Sequence, residues 1–315
     1  MTHRLHQLGL ALLLSLPGLA VAKDVTVLVS QPITFGLATD LLDGTAVHIE
    51  RAAPANLPAS RQVSYFAGRG AAALQKVAVD ADAAIALRSL WAEDPLYPMA
   101  RRSNIRIVEI DAARPVDGAL PGIAIQAESA GDNDLAGHPW LAINNMGRMA
   151  DVMAADLVRL APDAKAKVEQ NLATLKQRLL KLNAYSEREL AKADNLSVYS
   201  LSDRLDYLIS GLNLDLVSSD SRDDRDWDAE ALQSLTAALK ADDVALVLHH
   251  RAPPKAVADA IKAAGVPCWC WKPRKTIRWP SWKTMSAAWS KRSRNKRWSC
   301  TVATKRPGAY APGLF

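Results

Sequence analysis

The first 267 residues contain no cysteine, and residues 268–315 contain no aspartate or glutamate. The first absence excludes a disulfide framework and thiolate chemistry from most of the chain. No Gly-x-Ser-x-Gly elbow and no His-Glu-x-x-His helix occurs, so two common hydrolase designs are excluded and the chain is not expected to be an enzyme. No run of apolar residues is long enough for a membrane span. The second absence coincides with a change of composition. All three cysteines (Cys268, Cys270, Cys300), six of nine tryptophans and twelve Lys/Arg fall in 268–315. The 27 remaining basic residues face all 33 acidic ones, a formal charge of −6 up to Pro267. The pI near 9.2 therefore belongs to the tail, and a nucleic-acid partner is not expected.

Two readings account for the tail. The codons for Cys268-Trp269-Cys270-Trp271-Lys272, read one nucleotide earlier, give an apolar residue followed by Leu-Val-Leu-Glu. Further on, Trp279 to Lys283 can become Leu-Ala-Lys-Leu-Glu. A one-nucleotide frameshift near Pro267 would thus have replaced a buried strand and an acidic amphipathic helix, leaving the C-terminal lobe short of both. The other reading is a genuine basic, Trp-rich tail that binds anionic surfaces.

Residues 1–22 have the form of a secretory signal. His3, Arg4 and His6 precede an apolar run from Leu8 to Leu16, and Ala20-Val21-Ala22 is a small-residue cleavage site. The expected mature protein starts at Lys23, is periplasmic and is a monomer.

Strands and helices alternate after it. Expected strands are 24–29, 46–49, 83–87 and 105–110, with helices at 33–42 and 71–79 and a loop over 51–70. Residues 143–193 are almost wholly helical, interrupted at Pro162, with Val152, Leu157, Leu160, Val168, Leu172, Leu175, Leu179 and Leu182 at helical spacing. A second set follows: strands at 196–199, 214–217 and 244–248, helices at 203–212, 229–240 and 254–264, and a further strand from Val266. The fold class is α/β: a signal peptide (1–22), an N-terminal parallel-sheet lobe (23–142), a long helical connector (143–194), a C-terminal lobe (195–267) and the aberrant tail (268–315), with a cleft between the lobes.

The order of motifs resembles the periplasmic solute-binding proteins of zinc and manganese ABC importers. Val27 to Ile33 is similar to that family's opening strand and Pro-hydrophobic turn. His138-Pro139-Trp140-Leu141 with Asn144-Asn145 resembles its His-x-Trp-Leu-Asp-Pro-x-Asn signature. Met149 to Leu160, Ala161 to Ala164 and Asn171 match the following helix pair; Tyr207 to Val217 and Val244 to Lys255 match later segments. The resemblance covers about residues 24–267. It implies two α/β lobes joined by a rigid helix, a transported zinc or manganese ion, no organic cofactor, and delivery to an ABC permease.

The family's ligand set is only partly present. The mature chain has four histidines: His48, His138, His249 and His250. His138 matches the signature and is the leading ligand candidate. The family's first histidine falls in the loop 57–66, where this chain has Arg61-Gln62-Val63-Ser64-Tyr65-Phe66 and none. Asp203 falls near the C-lobe ligand position, or serves as a helix N-cap or first-turn acid. His249 and His250 end a strand where α/β sites form; neighbours on a strand point opposite ways, so at most one of them is expected to face the cleft readily. His48 reads as structural, and Glu93-Asp94 as a weaker carboxylate pair. Glu128, Asp132 and Asp134 occupy the place of the family's His-rich loop. The alternatives are a metal chelate or organic solute, its carboxylates met by Arg61, Arg88, Arg101 or Arg102, or a surface adhesin.

Overall fold

Short strands alternate with helices from the first residues of the computed structural model, which describes 24–125, 135, 137–270 and the backbone of 301–302. The signal segment, the acidic stretch Glu128–Asp134 and Cys300 lie outside the described residues. β1 (Thr26–Val29), β2 (His48–Arg51), β3 (Ala83–Ala86) and β4 (Val108–Asp111) form a parallel sheet in the order β2-β1-β3-β4. β1 and β3 are buried on both faces, which is why they read as continuous apolar runs. α1 (Pro32–Leu42) follows β1, with Pro32 in its first turn. Thr45 closes its end through its N–H and Oγ1, both donated to Leu42 O.

α2 (Gln62–Ala67) and α3 (Ala71–Ala78) connect β2 to β3, and α4 (Leu96–Ser103) precedes β4. Two expectations shift here. The stretch 51–70 is not all loop, since α2 forms inside it. β4 begins later than expected because Asn104 turns the chain first: its Nδ2 donates to Ala78 O (3.0 Å) and Ala81 O (2.7 Å), and Ile105 is left 76% exposed.

The helical region is a pair, α5 (Ile143–Leu160) and α6 (Lys165–Leu190), broken at Ala161-Pro162. Met146, Met149, Met153 and Leu157 of α5 and Val168, Leu175, Leu179 and Leu182 of α6 are buried. Each such side chain contributes roughly 1.5–3 kcal/mol by burial. Asn171 of α6 donates through Nδ2 to Leu41 O and Asp43 O at 2.9 and 2.8 Å, fastening the pair to the end of α1.

The second sheet is also parallel. β5 (Ser197–Ser200), β6 (Asp215–Ser219), β7 (Leu246–His249), β8 (Cys268–Cys270) and β9 (Thr301–Val302) run in the order β6-β5-β7-β8-β9. α7 (Asp206–Gly211), α8 (Ala229–Ala241) and α9 (Lys255–Ala263) connect them. α7 rests against the start of α5: a Cβ on Gly211 would meet the Ala142 Cα at 3.2 Å.

At β8 the expected loss of the next strand is corrected. Val247, Leu248 and His249 pair with Cys268, Trp269 and Cys270, all three of which are buried. Trp269 joins the core shared with α5 and α6, while Cys268 and Cys270 pack with Tyr199, Val257 and Ile261 on the opposite face. Cysteine and tryptophan satisfy an apolar, two-faced strand position as leucine or valine would.

Candidate metal-binding site

In the second sheet the chain runs from β5 outward to β6 and then returns to the other side of β5 as β7. The carboxyl ends of β5 and β7 are therefore a topological switch point, where the following loops diverge and leave a crevice. A cavity of about 360 Å³ opens there. Its lining comes from the loops after β5 (Leu201–Arg204), β6 (Ser221–Asp223) and β7 (His249–Arg251), with Leu135, Gly137 and His138 from the segment before α5. None of the lining residues belongs to the first sheet and its connections at 24–125, so the cavity sits at the mouth of the C-terminal sheet and takes only Leu135, Gly137 and His138 from the segment before α5.

His138 reaches it through an unusual backbone. Gly137 and His138 both have positive φ, 73° and 50°, a left-handed pair that is costly for a histidine. Pro139–Leu141 then make a single 3-10 turn before α5. Asn145 holds that turn: its Nδ2 donates to Pro139 O (3.1 Å) and Ala124 O (2.9 Å), and its Oδ1 accepts from Ala124 N–H (3.1 Å). The imidazole stands edge-on to Trp140, centroids 5.0 Å apart. The sequence signature thus has a structural logic, in which Trp140 and Asn145 brace the histidine.

His249 and His250 both line the cavity, which corrects the expectation that only one would. β7 ends at His249 and the chain bends at His250, so strict alternation no longer holds. Their rings meet edge to face at 4.7 Å. His249 is 5% exposed, and its Nδ1 has no hydrogen-bond partner among the described residues. His250 Nδ1 lies 2.7 Å from Ser202 Oγ. The same oxygen accepts the Arg204 N–H at 3.2 Å, capping the 3-10 turn Asp203–Leu205. Ser202 is therefore the cap; Asp203 is an exposed first-turn acid that lines the cavity.

All three imidazoles are held neutral. Burial lowers His138 to about 4, assisted by Arg204 and His250. His249 falls to about 4 through burial, then the His250 and Arg251 charges, against an opposing pull from Asp224. His250 falls to about 4 through burial, then Arg204 and Arg251. Neutral imidazole is the form that ligates a metal. No cluster of three or more His, Cys, Asp or Glu close enough to hold a metal occurs among the described residues; the donors line one cavity without converging on one point.

The other sequence candidates lie elsewhere. His48 is exposed on the edge strand β2. Asp94 is 1% exposed and accepts the N–H groups of Leu87 (2.8 Å) and Leu96 (3.0 Å), a structural role, and burial raises it to about 6. In the segment 57–66, Gln62 at the start of α2 points inward and donates to Ser30 O at 3.3 Å. Arg88 pairs with Glu109, Arg101 with the Tyr97 hydroxyl, and neither they nor Arg61 and Arg102 line the cavity. The lining arginines are Arg204, Arg222 and Arg251, which sequence reasoning passed over. Their signal was position: each lies within four residues of the end of β5, β6 or β7.

A family model described as zinc-uptake complex component A, periplasmic, matches residues 78–272. The chain belongs to that family. The match includes every residue lining the cavity and runs past the compositional break at Cys268. Solved structures resemble this chain in fold. The Zn(II)-bound ZnuA-like domain of Streptococcus pneumoniae AdcA has 16% identity and a TM-score of 0.65, covering 85% of this chain and 99% of that one. ZnuA itself has 19% identity and a TM-score of 0.60, covering 87% and 100%. FpvC of Pseudomonas aeruginosa in complex with Mn2+ has 16% identity and a TM-score of 0.62, covering 86% and 98%. At these identities the likeness establishes the fold. No curated protein matches the chain.

Proposed function

We propose that this protein is a periplasmic receptor that binds a divalent metal of the zinc or manganese class and hands it to an ABC permease. The observation that carries the proposal is the gathering of His138, His249, His250 and Asp203 around one cavity at the sheet switch point. Imidazole and carboxylate are the donors such ions take. The similar structures are described as Zn(II)- and Mn2+-bound, which supports the same class of cargo. Binding and release require no catalytic step. In this reading residues 1–22 direct export, 23–142 and 195–267 form the two lobes, and 143–194 join them; among the described residues no helix is long and apolar enough to cross a membrane.

The test is metal content by mass spectrometry and metal titration by calorimetry on the purified full-length chain. One ion per chain is expected. His250→Ala and His249→Ala should each lower affinity at least tenfold, with His138→Asn close behind. Affinity unchanged in all three variants would refute the assignment.

A further inference from the structure

The cavity is larger than a bare ion requires, and its lining carries three arginines beside two aspartates. Its volume is about 360 Å³. That falls within the size range of small-molecule pockets. The arginines come from three different loops, Arg204 after β5, Arg222 after β6 and Arg251 after β7. They share the cavity with His249 and His250.

Their states differ. Arg222 is gripped by Asp220 through Nε (2.8 Å) and Nη2 (2.7 Å), and lies over the Trp227 ring. Arg251 meets Asp224 through Nη2 alone, at 2.8 Å, so most of its donors lie outside that bond. Its side chain is 47% exposed. Arg204 acts on His138 and His250 electrostatically, as Arg251 does on His249 and His250. Two carboxylates, Asp203 and Asp223, complete the charged lining. A guanidinium beside a ligating imidazole opposes a bare dication, whose charge it repels. It favours a metal that arrives with its own anionic groups, because its planar fork takes a carboxylate by two parallel hydrogen bonds.

We propose that the solute held here is a divalent metal already wrapped by a small polycarboxylate, with His249 and His250 completing the metal's coordination and Arg204 and Arg251 binding the chelator's carboxylates. This rests on the metal-receptor reading above and names its cargo. Recognition then divides between metal and chelator, so neither component alone fills the site.

Calorimetry on the full-length protein tests it with three probes: zinc chloride, sodium citrate and the 1:1 zinc–citrate complex. The complex should bind at least tenfold more tightly than zinc alone or citrate alone, and native mass spectrometry should show both on one chain. Arg204→Ala and Arg251→Ala should each weaken the complex at least tenfold, Arg251→Lys should recover part of the loss, and Arg102→Ala, outside the cavity, should change nothing. Zinc alone binding as tightly as the complex would overturn the chelate inference while leaving the metal receptor intact. Citrate alone binding as tightly would overturn both, making this an organic-anion receptor. Failure of all three probes would likewise overturn both.

Discussion

His138 should make the metal-free protein acid-sensitive in a way that can be measured and removed. Its ordinary value of 6.5 falls to about 4 in the fold, chiefly through burial. Between those values the unfolded chain takes up a proton that the folded chain refuses, so stability falls as pH falls. From pH 7 to pH 5 that difference is worth about 2 kcal/mol at most, since the ring keeps some contact with water. His249 and His250 act in the same direction. Asp94, raised to about 6 by burial, acts oppositely: its folded form gains the proton first, so it adds stability as pH falls through that value. These contributions are common to the protein and to a His138→Asn variant. Asparagine tolerates the left-handed backbone at this position (φ 50°). Urea unfolding of chelator-treated protein at pH 7 and pH 5 should therefore show a loss smaller by about 1–2 kcal/mol in His138→Asn. An equal loss in both proteins would refute the claim that His138 is held neutral by its surroundings.

Other expectations follow from single contacts. Ser202→Ala removes the hydroxyl 2.7 Å from His250 Nδ1; metal affinity should fall about 10- to 100-fold by titration, as for other partners that orient ligating histidines, and Ser202→Thr should restore most of it. Asp228 accepts the Ala231 N–H at 2.8 Å as the N-cap of α8, so Asp228→Ala should lower unfolding free energy by about 1 kcal/mol without altering metal binding. Leu175, 1% exposed in α6, should cost about 3–5 kcal/mol when replaced by Ala, measured by denaturant midpoint.

Much of the fold was legible because its strands and helices have different periods. Ala83–Ala86 and Leu246–His249 read as buried parallel strands from their unbroken apolar character, and α5 and α6 from leucines and methionines at three- and four-residue spacing. α2 and α4 escaped because they are short and lie among Pro, Gly and Ser, where local signals favour turns. Part of the cavity lining was legible. His138 was found through its motif, and His249 and His250 through their place at a strand end. Both of the latter face the cavity because the bend at His250 breaks the alternation that a longer strand would enforce. The arginines that line the cavity, Arg204, Arg222 and Arg251, were not among those singled out, because which loops meet at the switch point is set by strand order.

One apolar core runs without interruption from Val27 and Ile85 of the first sheet, through Met149, Leu157 and Leu175 of the helix pair, to Val198, Leu248 and Trp269 of the second. Two halves glued in this way cannot swing apart like the jaws of a clam. Prising open only 400 Å² of such a seam would cost about 10 kcal/mol, comparable to the whole stability of an ordinary folded chain. In the metal-receptor reading proposed above, loading would be announced by local movement of the short segments around the crevice, above all the bend at His250 and the left-handed corner at His138. A docking permease would distinguish full from empty by the posture of those corners, on an otherwise unyielding frame.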